Sequence, residues 1–576
     1  MIKLKNKKLT WFFSNYIKPK ISLICLLIIL IFIGISIGNT SPLIFGKIID
    51  IIGNSNLNEL LHLIILYFVV TVVTQIISII EDFIGQTISF KITKETQKDL
   101  FKKIITLNQK SLQNYESGEL ISRLNGDADS VVSFFIDIIT SIIQIIINTV
   151  ISLYFVLYIS KHLSVVALFY IPASLLVNLS VRKYYKRLTE KRKKFSDNYF
   201  SFISESFNNS ISIKSFNLQN RIINKYKNFI SKEYKLLKNS ILLSNIVNGL
   251  TTLISVSSSL FIIYYSAILI DRGLLSIGLM VSFNTYINKL FDSINQILSL
   301  NIQKQEIEVC IERLTEILLN YSEDEISGNK LTDYDKISVN DVSFGYDQRK
   351  TVLSNLNFKI DGHGFYSLVG KNGCGKSTIA KLFIRLYDAD RGVVMVGENN
   401  IRECSVHHIR DNIIYIQKED FFFNDTIYNN LKLANENVSE IEMQDMCKRV
   451  GIDRDILNLC EGYNTLMGES GDNFSSGQKQ KLSIARSLLR KSSIYIYDEA
   501  TANLDGSAEK VIIDFLLELS KNSIVIFISH KTSSIVNSDR IFVIDKGSVI
   551  AEGNHKQLIE KCELYNKLFY STNSTY

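Results

Sequence analysis

The distribution of apolar and charged positions divides the chain into unlike halves. Residues 21–46 (ISLICLLIILIFIGISIGNTSPLIFG) carry no charged side chain, whereas residues 182–238 are crowded with Lys and Arg. Such segregation marks a membrane protein with water-exposed parts, not a globular enzyme of even greasiness. A helix crosses the hydrocarbon core in about 20 residues. The apolar runs predict six such spans, near 20–45, 60–80, 134–160, 162–182, 240–270 and 274–305. They are predicted helical despite their Ile and Val content, because lipid offers the backbone no hydrogen-bond partner. From about residue 336 the composition changes, and KISVNDVSFGY (336–346) and FYSLVG before residue 370 read as strands. The predicted fold is therefore an all-α six-helix transmembrane domain over 1–325, followed by an α/β domain over 326–576.

The basic residues predict an orientation. Lys91, Lys94, Lys98, Lys102, Lys103, Lys110 and Arg123 separate the second and third spans. Arg182, Lys183, Lys186, Arg187 and Lys191–Lys194 follow the fourth, while the opposite loops hold little beyond Lys47, Lys161 and Arg272. By the positive-inside rule both termini and both long segments are expected in the cytoplasm, the protein being multi-pass in the cytoplasmic membrane. Those long segments read as helices leaving the bilayer in pairs, joined by turns near 108–117 and 210–220 that could touch a soluble domain. The basic start before the first apolar run predicts a retained span, since no small-residue cleavage site follows.

Composition changes this picture little. A length of 576 residues favours two or three domains. The net charge of +7 could suggest nucleic acid, but the cations flank apolar spans, so no nucleic-acid partner is expected. Seven scattered cysteines without a CxxC pair argue against a disulfide framework or a zinc site and read as reduced thiols. The Lys-, Asn- and Ile-heavy usage suggests an AT-rich bacterial genome. Within the sixth span Lys289 and Asp292 stand three residues apart on one helical face. Charges at that depth face a partner or a water-filled path, which makes them candidates for a translocation cavity. A mutual ion pair with no contact to cargo is the plainer reading.

The second half carries the chemistry. Gly370-Lys371-Asn372-Gly373-Cys374-Gly375-Lys376-Ser377-Thr378 is GxxxxGK[ST] between a predicted strand and the amphipathic run IAKLFIRLY. Glycines let backbone N–H groups wrap phosphates, and the helix N-terminus adds its dipole. Lys376 would neutralise the β- and γ-phosphates, and the Ser377 hydroxyl is a candidate Mg2+ ligand. Further on, SSIYIYDEA is an apolar strand ending in Asp498, suited to hold Mg2+ through water, and Glu499, suited to orient or deprotonate the attacking water. Phe474-Ser475-Ser476-Gly477-Gln478 opens a basic amphipathic helix, a second anion site.

That stretch, with Ile484-Ala485-Arg486 behind it, resembles the signature of ATP-binding cassette proteins, which normally reads LSGGQ. The resemblance implies an ABC cassette of P-loop NTPase type with ATP and Mg2+ as ligands. It also implies roles for further residues. Tyr346 matches the aromatic that stacks on adenine, a contact of about 1 kcal/mol. Gln417 matches the Q-loop glutamine and so a further Mg2+ contact, and His530 matches the switch histidine near the γ-phosphate. Ala502-Asn503-Leu504-Asp505 resembles the D-loop, and GESGDN (468–473) a loop that touches the membrane domain, with Glu469 its acid.

The first half resembles the exporter branch of that family. SPLIFGKIID (41–50), SGELISRLNGDADSV (117–131), SISIKSFNLQ (210–219) and IERLTEIL (311–318) carry this likeness. Three departures stand out: Ser476 for the first signature glycine, Phe474 for its leucine, and Asp292 where the sixth span usually carries proline. The resemblance implies a half-transporter whose ATP sites form between the phosphate loop of one chain and the signature of another. The partner is expected to be an identical second chain, with Ser476 keeping a heterodimer open. The expected activity is ATP-driven export of a peptide or an amphipathic small molecule across the lipid bilayer. A peptidase-type domain is not expected ahead of the first span. Import of a metal–siderophore complex, lipid flipping, and a regulated channel or sensor are the alternative readings.

Overall fold

The computed structural model describes residues 8–52, 57–320, 322–323, 328–347, 350–418, 420–529 and 531–573, apart from some side chains of 166–200, 298–306, 532–533 and 571–573. His530 lies outside the described residues. The chain forms two compact units: Met1–Ile105 with Tyr115–Asn320, and Thr106–Asn114 with Tyr321–Tyr576.

The first unit is helical. Helix α1 (Ile21–Gly38) stops at Asn39, and α2 (Ser41–Ile52) restarts with Pro42 in its first turn, where a missing N–H costs nothing. The first span, predicted as one run over 20–45, is thus interrupted at Asn39-Thr40, towards its end. Helix α3 (Leu57–Ile105) follows, and then, within the second unit, the four-residue α4 (Gln109–Leu112). The first unit resumes at Tyr115, and helical turns over Ser117–Asp127 lead into α5 (Ala128–Ile159), α6 (Lys161–Asn208), the short α7 (Ser210–Ser215), α8 (Gln219–Asp271) and α9 (Ile277–Leu318). At 1.5 Å per residue, the 49 residues of α3 and 53 of α8 run well beyond a bilayer core of about 30 Å. They fit the expectation of helices that leave the membrane and turn near α4 and α7.

Among the described residues four helical stretches are long and apolar enough to cross a membrane: Lys8–Ile52, Leu57–Ile105, Ser117–Ile159 and Gln219–Asp271. The spans expected at 162–182 and 274–305 fall on α6 and α9, which do not meet that criterion on the described residues. The apolar excess faces outward. Leu61, Ile65, Phe68, Ile76 and Phe83 of α3 are all exposed, which in water would be costly and in lipid is solvation.

Close approach holds α2 on α9. A Cβ on Gly278 would lie 1.9 Å from the Gly46 carbonyl oxygen, so only glycine lets the backbones meet. Ser282 Oγ donates to Pro42 O at 2.8 Å beside that contact. Asp50 caps α9, accepting from the Gly278 N–H at 2.8 Å and from Ser276 Oγ at 2.7 Å.

The second unit is built on a six-stranded sheet in the order β10-β9-β3-β8-β7-β6. Its strands are β3 (Gly364–Gly370), β6 (Ile413–Ile416), β7 (Ile494–Asp498), β8 (Ile524–Ile528), β9 (Arg540–Asp545) and β10 (Ser548–Gly553). All neighbours are parallel except the β10 edge. Strands β3, β7 and β8 are buried at every position, as a sheet covered on both faces requires. A smaller antiparallel sheet contains β1 (Lys336–Phe344), β2 (Leu353–Asp361), β4 (Arg391–Val396) and β5 (Asn399–Asn400). Helices α10 (Lys376–Phe383), α11 (Ile427–Lys432), α12 (Glu440–Val450), α13 (Ser476–Leu488) and α14 (Gly506–Leu519) belong to the same unit.

The residues Thr106–Asn114 are built into this second unit. Glu323 N donates to Thr106 O at 2.7 Å, and Gln113 Nε2 donates to the Tyr387 hydroxyl at 2.6 Å.

Candidate functional site

The loop 371–375 leaves the C-terminal end of β3, between β8 and β9, and runs into α10. Gly373 and Gly375 have left-handed φ of 78° and 111°, open to glycine at little cost. A Cβ on Gly370 would lie 2.2 Å from Ile544 O, so the loop root admits nothing larger. Lys376 is buried, its Nζ donating to Gly370 O at 2.8 Å and Lys371 O at 3.0 Å. Burial draws its ammonium below the usual lysine range, while Cys374, Glu499 and Asp498 act the other way. The loop that would cradle phosphate therefore keeps its cation in place through its own carbonyls.

Asp498 ends the buried strand β7 and is itself buried. Burial pushes its carboxyl above the usual range, opposed by hydrogen bonds from Ser377 and Tyr415. The Tyr415 hydroxyl donates to Asp498 Oδ2 at 3.0 Å. Glu499 is left-handed at φ 53°, an uncommon state for a residue with a Cβ, and its N–H donates to Ile528 O at 2.9 Å. Lys418 Nζ lies 3.9 Å from Glu499 Oε2, and its neighbour Gln417 is exposed just past β6. Lys376, Ser377, Asp498 and Glu499 thus converge, although more than 120 residues separate the two pairs in sequence.

Tyr346 sits edge-on to Tyr387 with ring centroids 5.2 Å apart, its hydroxyl 3.1 Å from Thr378 Oγ1. This places the adenine candidate beside the phosphate loop. Ser475 and Gln478 form a capping box at the start of α13: Gln478 N donates to Ser475 Oγ at 3.2 Å, and Ser475 N to Gln478 Oε1 at 3.0 Å. Ser476 and Gly477 follow in the first turn of that helix. Asp505 caps α14, accepting from the Ala508 N–H at 2.7 Å and Ser507 Oγ at 2.8 Å, bonds that hold its carboxyl below the usual range. Among the described residues, no hydrogen bond joins 475–478 to 370–378.

Tyr415, Lys418, Gln480 and Asp420 lie outside the motifs named above. Gln480 lines a cavity of about 290 Å³ with Gln417, Lys418, Asp420, Ser476 and Asn503. Asp420 accepts from Arg486 Nη2 at 2.7 Å and also from Ser483 Oγ, tying α13 to the segment after β6. Only Tyr415 left a trace, as an aromatic within the strand run IIYI.

In the membrane unit, the expected Lys289–Asp292 ion pair does not form. Lys289 Nζ instead donates to Asn39 Oδ1 at 2.9 Å, and Asp292 is exposed. Asn39, at the break between α1 and α2, also donates to Asn148 Oδ1 at 3.1 Å, and its carbonyl accepts from the Tyr286 hydroxyl at 2.5 Å. A three-donor cation finds a better-placed acceptor across the helices than along its own.

The pattern of the ABC transporter transmembrane region matches residues 24–294, and that of the ABC transporter cassette matches 353–502. A lactococcin-G-processing and transport ATP-binding protein of Lactococcus lactis is 31% identical, over 84% of this chain and 69% of that protein. The chain belongs to the ABC transporter family. Within that family it is similar to a Rickettsia prowazekii protein described as an export ATP-binding/permease protein, 29% identical over 86% of this chain and 87% of that one. It is also similar to a multidrug resistance-like ATP-binding protein of Buchnera aphidicola, 28% identical over 94% and 95%. A bacterial Atm1-family ABC exporter solved with ATP bound shares the fold at a TM-score of 0.87, 21% identity, and 97% and 99% coverage. This ABC transporter is thus an exporter-type half-transporter, a membrane domain fused to an ATP-binding cassette. It is an ATPase coupled to export, and its half-transporter organisation implies assembly of two chains in a membrane.

Proposed function

We propose that the chain exports a peptide or amphipathic small molecule across the cytoplasmic membrane as a homodimer, with its cassette and both termini in the cytoplasm. The observation that carries the reading is the convergence of Lys376, Ser377, Asp498 and Glu499 at the C-terminal ends of β3 and β7. Lys376 and the loop amides of 370–378 bind the phosphates of ATP, and Tyr346 stacks on its adenine. Glu499 takes the proton of the attacking water or orients it, with Gln417 and His530 completing the catalytic group. Ser475, Ser476, Gly477 and Gln478 close on ATP held by the partner chain, and Asp505 stands at that junction.

The donor set also suits Mg2+: a buried carboxyl with a hydroxyl against it offers the hard oxygen ligands the ion prefers. Ser377, Asp498 and Gln417 would hold it, and when bound it would neutralise phosphate charge. Closure of two cassettes around ATP moves the membrane units only if ATP favours the closed state, since a ligand shifts an equilibrium by its differential affinity alone. Lys289 and Asp292 line the cargo path in this reading. Support for the cargo class comes from the names of the relatives, one a lactococcin transporter and one multidrug resistance-like. Because the chain holds both catalytic acids and His530, two identical chains would make two competent sites.

Substituting Glu499→Gln tests this assignment. ATP binding should persist while hydrolysis falls at least about tenfold, roughly 1.4 kcal/mol of transition-state stabilisation. Near-normal turnover would sink the role given to Glu499. Native mass measurement of the purified complex decides whether its second chain is identical.

A further inference from the structure

The D-loop backbone (502–505) and Thr501 before it are gripped from two sides by side chains outside the motifs named above. On one side Gln480, buried on α13, donates Nε2 to Lys418 O at 3.3 Å and accepts the Asn503 N–H at 2.9 Å. On the other, Lys531 Nζ donates to Thr501 O at 3.1 Å, Leu504 O at 3.2 Å and Glu509 Oε2 at 3.0 Å. All three ammonium hydrogens thus have acceptors. Glu509 is buried on α14 and accepts further from Thr501 Oγ1 at 2.9 Å and Ser534 Oγ at 2.7 Å. A buried carboxylate so fully bonded meets the condition under which a buried ion pair holds geometry instead of merely costing desolvation. The Lys531 backbone N–H is itself anchored on Ser529 Oγ at 3.0 Å.

Lys531 directly follows His530 in sequence. A D-loop displaced by more than hydrogen-bond tolerance must therefore either break these bonds or pull on the residue next to His530. We infer that Lys531 is a positioning residue: with Glu509 it ties the D-loop to the segment bearing His530, while Gln480 ties it to the signature helix. Hydrolysis in each cassette then depends on where that chain's own D-loop lies. The inference rests on the roles proposed above for His530 and Glu499.

The test uses the full-length chain in proteoliposomes, measuring kcat, KM for ATP and thermal unfolding. Lys531→Met should lower kcat at least about tenfold while KM moves less than about threefold, the signature of a lost transition-state interaction. Lys531→Arg, which keeps charge and donors, should recover kcat to within about threefold. Glu509→Gln should lower kcat in the same direction, and the double variant should be no worse than Lys531→Met alone, as members of one network behave. Should Lys531→Met not fold, Lys531→Gln takes its place. Unchanged kcat in the folded variant, or no recovery in Lys531→Arg, overturns the tie. Undiminished turnover of Glu499→Gln, run alongside, would overturn the underlying catalytic reading and leave the tie to be judged by the Lys531 pair.

Discussion

The two units of this transporter solve the same burial problem in opposite solvents. In the cassette, β3, β7 and β8 are apolar and fully buried, and what remains outside is chemistry. In the membrane unit apolar side chains face outward, and the informative groups are the few polar ones turned inward: Asn39, Tyr286, Lys289 and Asp50. A charged or polar residue therefore carries a different message in each unit. In the cassette the buried Lys376 and Asp498 lie together at the ends of β3 and β7, where the proposed function puts the phosphates of ATP. In the membrane unit Asn39 and Asp50 are bonded to neighbouring helices, and their first effect is to fix how those helices meet.

Substitutions can break this contrast. The largest expected effect is in the cassette, where Lys376→Ala should abolish ATP binding and transport. Unaltered nucleotide affinity, measured by equilibrium binding to the purified protein, would refute the phosphate-loop assignment. Next comes the membrane unit, where Gly278→Ala forces a Cβ against the Gly46 carbonyl. A loss of about 3 kcal/mol or more is expected, read as a collapse in folded yield and Tm. Gly249→Ala on α8, where a Cβ meets nothing within 4 Å, is the matched control and should be neutral or gain up to about 1 kcal/mol. Equal losses at both positions would mean that the membrane unit is not held by that contact. The smallest effect belongs to Lys289→Met, which removes the bond to Asn39. Interhelical hydrogen bonds in membranes average about 0.6 kcal/mol and reach about 1.7, so stability should fall by that order while ATP affinity holds. A change in cargo preference in inside-out vesicles would add support for Lys289 in the cargo path.

The same contrast explains what could be read from the sequence. The phosphate loop, the acids at the end of β7 and the signature helix were legible because phosphate chemistry demands particular residues at fixed local spacing. The long helices were legible because lipid demands length and apolarity. The bonds of Gln480 to Lys418 and Asn503, and of Arg486 to Asp420, were not, since they join residues 23 to 66 apart that share no period. Nor was the pairing of Lys289 with Asn39, 250 residues away, which displaced the local ion pair with Asp292. The break at Asn39 did leave a sign in Gly38-Asn39-Thr40-Ser41-Pro42, a turn-forming run inside an apolar stretch. Hydropathy outweighed it because a span is judged by its average.

The nine residues Thr106–Asn114 lie far upstream of the cassette in sequence, yet they fold as part of it, with Gln113 bonded to Tyr387 and Thr106 to Glu323. The cassette is therefore not a module that a single cut can excise or a single recombination can exchange. Grafting it onto another exporter would leave Tyr387 without its partner unless residues 106–114 travelled with it. Drift in either segment is answerable to the other, so the two must evolve as one inherited piece despite lying more than 200 residues apart.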